Sequence, residues 1–224
     1  MKLGYGTGSV SLEVEGDERF ELVLPNELPG AENETAEIER ALDEPLGPTL
    51  QDFAGCDKAA IMASDITRPA PISKILPPLV RRLEEIGISE VVVVFGLGTH
   101  RRMTAEEEKR HLGSSADLPH IQHDKDRCVH LGETSRGTPV EILEEVASSD
   151  LKIGTGNIEY HYYAGYSGGA KALLPGVSSE NSVNKNHAMM VDPRAKSGRL
   201  DSPVRLDMEE AAGIAGLDFI LNVV

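Results

Sequence analysis

The 224-residue sequence predicts an α/β fold, and two observations carry that prediction. Short apolar runs alternate along the chain with stretches in which apolar residues recur at helical spacing. In addition, Val91–Phe95 is a β-branched run of the kind found in central strands that are buried on both faces. Together they predict a Rossmann-like, three-layer domain with a mainly parallel sheet, entered through a β-rich N-terminal segment.

The N-terminal segment covers residues 1–30. Its apolar runs predict two short strands, Ser9–Val14 and Phe20–Leu24, and Gly16-Asp17-Glu18 between them is a turn signal. An acidic stretch follows, over residues 31–50, in which we expect a helix at Glu34–Leu42.

The first strand–helix pair begins at Lys58. Ala59–Ala63 predicts a buried strand, Ser64–Pro71 a loop, and the apolar spacing over Ile72–Ile86 a helix that Gly87 ends. The Pro77-Pro78 pair conflicts with a helix interior, because proline lacks an amide donor and clashes with the preceding turn. We therefore expect these prolines near the first turn, which leaves the start of the helix open.

The remaining elements follow the same alternation. Thr104 and Glu107 form a capping box, which predicts a short helix ended by Gly113. Further apolar patterns predict two strands and two helices, and the apolar, strand-like end at 217–224 is typical of a chain cut at a domain boundary. These strands are Val129–Leu131 and Leu151–Thr155, and the helices are Pro139–Val146 and Asp207–Ala215.

Composition narrows the class of protein. A net charge of −15 disfavours a nucleic-acid surface, which needs a basic stripe. No apolar run has the length of a membrane span, and Met1 is followed by polar sequence rather than by a secretory signal. Cys56 and Cys128 are far apart and form no CxxC pair, so we expect a reducing, cytoplasmic location.

Two polar segments follow predicted strands directly. Residues at the carboxyl ends of parallel strands face the ligand crevice, so Arg68 could fork onto a carboxylate, with Asp65 orienting it or binding a ribose hydroxyl. Gly96–Arg101 fails the dinucleotide fingerprint because Arg101 replaces its third glycine, yet the segment would bring His100 to the crevice. The alternative is a capped turn with a surface ion pair and a surface histidine.

Residues 165–172 are Gly-rich but lack the phosphate-loop motif, because Ala170 and Ala172 flank the lysine. Gly168 and Gly169 still offer amides to a phosphate. Lys171 is either a point charge or a nucleophile activated by a lowered pKa. His187 is either a surface helix residue or a metal ligand.

A second group of candidate ligands lies close together in the sequence. Its spacing, His-x2-His-x4-Cys-x-His, could indicate zinc. A charged turn at 124–127 interrupts it, so we interpret it as mostly structural, although His123 could still reach the crevice. The four residues are His120, His123, Cys128 and His130.

Read together, the crevice motifs resemble the N-terminal half of the nickel-pincer-nucleotide lactate racemase family, from about Leu3 to Val224. The order and offsets are specific: ten residues separate His161 from Lys171, and sixteen separate Lys171 from His187. The segments that carry the resemblance are Asp65-Ile66-Thr67-Arg68-Pro69, Gly96-Leu97-Gly98-Thr99-His100-Arg101, His161 to Lys171, Leu174-Pro175-Gly176 and His187.

The resemblance implies that residues 1–224 are the cofactor-binding and catalytic domain of a longer two-domain protein that racemises short 2-hydroxy acids. A nickel-pincer nucleotide (a pyridinium bisthiocarboxylic acid mononucleotide), made by separate biosynthetic proteins, would be joined covalently to Lys171, with His187 on the nickel. His100 and His161 would be the paired acid/base groups, and Arg68 would orient the substrate. The nucleotide part of the cofactor would contact Asp65, Thr67, Gly168 and Gly169.

Two other functions stay open at this point. The chain could be a nucleotide-binding module without turnover, or a zinc hydrolase that uses the 120–130 cluster. Metal analysis separates them, because nickel with an adduct on Lys171 indicates the racemase and zinc without an adduct indicates the hydrolase.

Overall fold

The computed structural model describes residues 1–6, 8–13, 21, 23, 26 and 29–224, in two compact units. The first unit, Met1–Glu32, contains an antiparallel pair, β1 (Lys2–Tyr5) and β2 (Gly8–Ser11). β2 confirms the first predicted strand, although it begins and ends earlier than expected. The predicted turn at 16–18 and most of the predicted strand Phe20–Leu24 lie outside the described residues.

The second unit, Asn33–Val224, alternates strands and helices. Its strands are β3 (Lys58–Ser64), β4 (Glu90–Gly96), β5 (His120–Gln122), β6 (Cys128–Glu133), β7 (Pro139–Leu143), β8 (Leu151–Asn157), β9 (Tyr160–His161), β10 (Gly165–Tyr166) and β11 (Phe219–Val223). Its α-helices are α1 (Glu34–Asp43), α2 (Ile72–Glu85), α3 (Ala105–Leu112), α4 (Glu144–Ala147), α5 (Glu180–His187) and α6 (Pro203–Ala215). Short 3₁₀ turns lie at Leu50–Phe53, Gly113–Ser115, Gly169–Ala172 and Ala188–Val191.

A five-stranded parallel sheet forms the centre of this unit, in the order β11-β8-β3-β4-β5. The chain moves outward from β3 through β4 to β5, then crosses back to β8 on the other side of β3. The strand order therefore reverses between β3 and β8, which is the switch point of a doubly wound sheet. The predicted parallel α/β fold is confirmed.

Helices cover both faces of the sheet, so the unit has three layers. Successive strand residues point to opposite faces. Accordingly, Ile61 packs in one apolar core with α1, α2 and the end of α3, whereas Met62 packs in the other with β7, α5 and α6. Burial of these two faces is the main stabilising contribution to the sheet.

The helix α2 begins at Ile72 and keeps Pro77 and Pro78 in its interior. The expectation that these prolines lie near the first turn is wrong. An interior proline costs on the order of 3 kcal/mol. The helix forms because it buries one continuous apolar face, which includes Ile75, Leu76, Leu79 and Leu83.

The expectation of a helix over Pro139–Val146 is also wrong. Pro139–Leu143 is a strand that pairs antiparallel with β6, and only Glu144–Ala147 is helical. Val140, Ile142 and Leu143 are buried against the second core, and an apolar run of this length fits a strand or a helix. Tertiary pairing with β6 decides between them.

The other predicted elements are observed. The Thr104–Glu107 capping box opens α3, and Gly113 ends it with φ of 58°. The expected helix at Asp207–Ala215 starts earlier, at Pro203, and the apolar end of the chain forms the edge strand β11. In the part of the chain that the structure describes, no helix is long and apolar enough to cross a membrane.

Candidate active site

A cavity of about 420 Å³ opens at the carboxyl ends of β3, β4 and β8, where the strand order reverses. Open parallel sheets bind ligands at such a switch point, because the loops leaving neighbouring strands diverge there. The cavity has the size of a small-molecule or cofactor site. The structure places six predicted residues together in its wall: Asp65, Arg68, His100, His161, Lys171 and His187.

His100 is paired with the buried Asp65. The Nδ1 atom of His100 lies 2.6 Å from Asp65 Oδ2, and the backbone N–H of Thr67 donates to Asp65 Oδ1 at 2.7 Å. Burial opposes the charged carboxylate, but the hydrogen bonds from Thr67 and His100 outweigh it, so the pKa of Asp65 lies below its usual range. Since an ionised carboxylate only accepts, neutral His100 carries its proton on Nδ1 and leaves Nε2 bare.

His161 is held in the opposite way. Its Nδ1 accepts the backbone N–H of Ala164 at 3.2 Å, so the neutral ring carries its proton on Nε2. The ring stacks on Tyr162 and meets the edge of Tyr163. Burial first, and then the positive charges of Lys171 and Arg68, lower the pKa of His161 to about 4. The two predicted acid/base histidines therefore differ at Nε2, which is unprotonated in neutral His100 and protonated in neutral His161.

The amine of Lys171 has a strongly perturbed environment. Burial first, and then the guanidinium groups of Arg68 and Arg205, lower the pKa of Lys171 to about 7. A large fraction of this amine is therefore unprotonated at neutral pH, which is the nucleophilic form.

A glycine turn and an arginine fix the segment just before Lys171. Gly168 has φ of 71°, and a Cβ there would lie 2.9 Å from the Ile158 side chain, so the turn requires glycine. From α6, Arg205 donates to the carbonyls of Tyr166 at 3.3 Å and Gly168 at 3.2 Å. Gly168 lines the cavity, whereas Gly169 is buried and lies outside the lining.

The loop after β4 packs closely on the segment that follows Lys171. A Cβ on Gly96 would lie 3.1 Å from the Gly176 Cα, and the N–H of Gly98 donates to the Gly176 carbonyl at 2.9 Å. This backbone-to-backbone contact brings the loop that carries His100 to the same cavity wall as Lys171.

His187 is the last residue of α5 and is partly buried. Burial, followed by the charge of Lys171, lowers the pKa of His187 to about 4, so the ring is neutral at neutral pH. Neutral imidazole is the form that binds a metal. Its Nδ1 lies 3.1 Å from the side-chain oxygen of Asn186, and its ring meets the edge of Tyr163.

Arg68 and Thr67 differ in their relation to the cavity. Arg68 lines it, and no carboxylate of the described residues pairs with its guanidinium, whose fork geometry suits a bound carboxylate. Thr67 is exposed and lies outside the lining; its contact is the backbone hydrogen bond to Asp65.

The four residues of the 120–130 cluster do not come together as a metal site, which argues against the zinc hypothesis. His120 donates through Nδ1 to the Leu118 carbonyl, His123 is buried, and His130 is exposed on β6. The Sγ of Cys128 lies 3.9 Å from His123 Nε2, but within the described ranges no three His, Cys, Asp or Glu side chains come together. None of these four residues lines the cavity.

Sequence reasoning missed Arg205, Asn186 and Tyr163. Arg205 and Asn186 act from helices, at positions that no motif marks, and their partners are known only from the tertiary structure. By contrast, Asn157 also lines the cavity and could have been found, because it ends a strand of the parallel sheet.

Fold and site together define an α/β domain with a cavity at the switch point of a doubly wound sheet. Residues 5–198 match the lactate racemase N-terminal domain, and the chain belongs to that family.

Two curated relatives are lactate racemases, from Lactiplantibacillus plantarum and Thermoanaerobacterium thermosaccharolyticum. Each is 32% identical to this chain over 238 aligned positions, which cover all of the chain and 56% of the relative. The chain thus spans about half the length of the curated relatives it matches.

Solved structures agree with the sequence relationship. The lactate racemase apoprotein from T. thermosaccharolyticum has a TM-score of 0.87 at 33% identity, covering all of this chain and 55% of that one. A Thermotoga maritima protein has a TM-score of 0.69 at 22% identity, covering 88% of this chain and 52% of that one, which shows a shared fold.

Proposed function

We propose that this chain is the cofactor-binding and catalytic domain of a two-domain, nickel-dependent enzyme that interconverts the stereoisomers of a short 2-hydroxy acid such as lactate. One observation carries the proposal. A single cavity holds a lysine whose pKa is lowered to about 7 together with three histidines whose partners assign their protons differently. Such perturbed groups cluster at functional sites.

The residues of the cavity fit the nickel-pincer nucleotide. Lys171 supplies the amine that would hold it covalently, and His187 supplies one neutral imidazole, the nitrogen donor that suits Ni(II) beside soft sulfur ligands. Ser64 Oγ is buried in the cavity wall without a hydrogen-bond partner among the described residues, so a polar ligand atom would satisfy it. When bound, the cofactor would supply the acceptor for the hydrogen on C2.

The first proton step is assigned to His100. Its bare Nε2 would take the proton of the substrate hydroxyl, and Asp65 would stabilise the imidazolium that forms. Both Asp65 oxygens are already engaged, by Thr67 and His100, so we assign Asp65 and Thr67 to orienting His100 rather than to the nucleotide.

His161 would serve the opposite face of the substrate. In the neutral ring its Nε2–H would donate to the substrate oxygen, and its Nδ1 would stay on the Ala164 amide. To act as a base at Nε2, the ring must first release that amide. We therefore propose that the two histidines begin the reaction in different states, with Arg68 holding the carboxylate between them.

The partners and location follow from the same proposal. Loading requires separate cofactor-biosynthesis proteins, and both cysteines are free thiols, in keeping with a reducing cytoplasm. The isolated domain would leave the cavity open to water, so we propose that it needs the second domain for turnover.

A chiral assay tests this function. The complete two-domain protein, produced together with the cofactor-biosynthesis proteins, is incubated with one lactate enantiomer in D₂O. We expect the other enantiomer to accumulate until both are equal, and we expect no turnover from the cofactor-free protein or from the loaded 224-residue chain. Racemisation by the cofactor-free protein would contradict the proposal, and a loaded complete protein without turnover on any short 2-hydroxy acid would favour a binding module.

A further inference from the structure

A buried polar network reaches His187 from behind the cavity. Asn186, Asp207 and Thr134 are each at most 4% exposed, and they lie on α5, on α6 and in the turn between β6 and β7. Buried side chains of this kind are costly unless their hydrogen bonds are satisfied, so the arrangement of donors and acceptors is well determined.

The orientation of the Asn186 amide follows from its neighbours. Its nitrogen lies 3.0 Å from the Val204 carbonyl and 2.8 Å from Asp207 Oδ2. A backbone carbonyl can only accept, so the amide nitrogen must be on that side. The Asn186 oxygen is therefore the atom that faces His187.

That orientation determines the proton position on His187. Its Nδ1 lies 3.1 Å from Asn186 Oδ1, an oxygen that can only accept, so Nδ1 carries the proton. The neutral ring then has its lone pair on Nε2, the nitrogen left for the cavity that His187 lines.

The far end of the network holds the amide in place. Thr134 Oγ1 donates to Asp207 Oδ1 at 2.6 Å and accepts the N–H of Thr138 at 3.1 Å, so its direction is also determined. Helix α6 thus contacts the Asn186 amide directly, and Thr134 supports it through Asp207. None of these contacts is with the cavity.

We propose that Asn186, braced by Asp207 and Thr134, is a positioning residue that keeps His187 in the Nδ1–H tautomer and so presents Nε2 as a metal ligand. The metal role of His187 rests on the proposed function, whereas the tautomer does not. Removing an outer partner that orients a ligating histidine typically lowers metal affinity by about 10- to 100-fold.

Nitrogen NMR of the metal-free chain tests the tautomer directly. At neutral pH we expect His187 to show a protonated Nδ1 and an unprotonated Nε2. Asn186→Leu, which keeps the volume and removes the acceptor, should shift the ring toward the Nε2–H form. Thr134→Val is a milder second variant, expected to broaden or mix the two forms. Asn184→Leu, at an exposed position of the same helix, is the matched control and should match the wild type.

Nickel retention gives the second readout. In the loaded chain, Asn186→Leu should lower nickel affinity about 10- to 100-fold, seen as faster release of nickel to a chelator, while the adduct on Lys171 remains. A proton on Nε2 of His187 in the wild-type chain would overturn the proposal, as would unchanged nickel release in a folded Asn186→Leu chain. If the wild type takes up no nickel, the proposed function fails, and the NMR result still decides the tautomer.

Discussion

The cavity and the 120–130 segment place potential metal ligands in opposite ways. The 120–130 segment has four candidates within eleven residues, but only His123 and Cys128 lie near each other, whereas His120 bonds to a backbone carbonyl and His130 is exposed. The cavity draws its three histidines from distant parts of the chain, and the parallel sheet brings them together. Close spacing of potential ligands in the sequence is thus a weaker indicator of a site than their position at the carboxyl ends of parallel strands.

The largest expected effect concerns the His100–Asp65 pair. His100→Ala in the loaded, complete protein should slow racemisation by about 10²- to 10⁴-fold, because it removes a base from one face. Asp65→Asn should have an effect of similar size. The asparagine amide can donate to Nδ1 and thereby move the proton of His100 to Nε2.

Racemisation rates measured from both enantiomers check this prediction. Each variant should be slow in both directions, since every turnover uses both faces. Glu107→Gln is the control: it weakens the ion pair between exposed Arg101 and partly buried Glu107 near the same loop, keeps a side chain that can complete the capping box, and should stay close to the wild type. Near-normal rates in Asp65→Asn would contradict the assigned tautomer.

The next largest expected effect is on the pH dependence of the free energy of unfolding. Burial of the neutral rings lowers the pKa values of His123, His161 and His187 to about 4. Between pH 6.5 and 4 the unfolded chain binds more protons than the folded chain, so stability should decrease as the pH decreases through this window.

Urea denaturation at pH 7 and pH 4.5 measures this loss. His123→Gln and His187→Gln should each remove about 1–2 kcal/mol of the pH dependence. His130→Gln, at an exposed position, should leave it unchanged. If all three variants lost as much stability as the wild type between pH 7 and pH 4.5, neither region would bury a neutral histidine.

An effect of similar size, but at higher pH, is expected for Lys171. Because burial lowers its pKa to about 7, folding is penalised at neutral pH, and the penalty is relieved as the pH rises toward 10. Lys171→Met should therefore stabilise the cofactor-free chain at pH 7 by about 1–2 kcal/mol and flatten its stability between pH 7 and 10. Thermal unfolding across this range checks the prediction, with exposed Lys185→Met as the control. If the amine were fully solvated, Lys171→Met would leave the pH dependence of stability unchanged.

The smallest expected effect is on metal content in the 120–130 segment. His120→Ala and His130→Ala should leave the nickel and zinc content of the purified chain unchanged, as measured by mass spectrometry of the metals. Zinc that is stoichiometric in the wild type and lost in either variant would restore the zinc hypothesis.

Much of the fold could be predicted from the sequence because local patterns decide it. The β-branched run at Val91–Phe95 and the Thr104 capping box specify their elements without tertiary help. Pro139–Leu143 could not be predicted, because its apolar pattern fits a strand and a helix, and pairing with β6 decides. The interior prolines of α2 are tolerated because the helix buries a continuous apolar face, and this burial is known only from the folded structure.

The site divides in the same way. Asp65, His100 and Lys171 follow strands or glycine turns and could be predicted from position and spacing. Arg205 and Asn186 lie on helices, and their roles depend on contacts with a glycine carbonyl and a histidine that no local pattern encodes. Residue types can thus be read from sequence, whereas the proton positions of the histidines cannot.

The most direct test of the proposed site is intact mass with nickel content for the chain produced together with the cofactor-biosynthesis proteins. We predict one covalent adduct and one nickel per wild-type chain, and the same for Lys185→Ala. Lys171→Ala should have no adduct, and His187→Ala should keep the adduct but lose most of its nickel. An adduct that persists in Lys171→Ala, or full nickel in His187→Ala, would contradict the account.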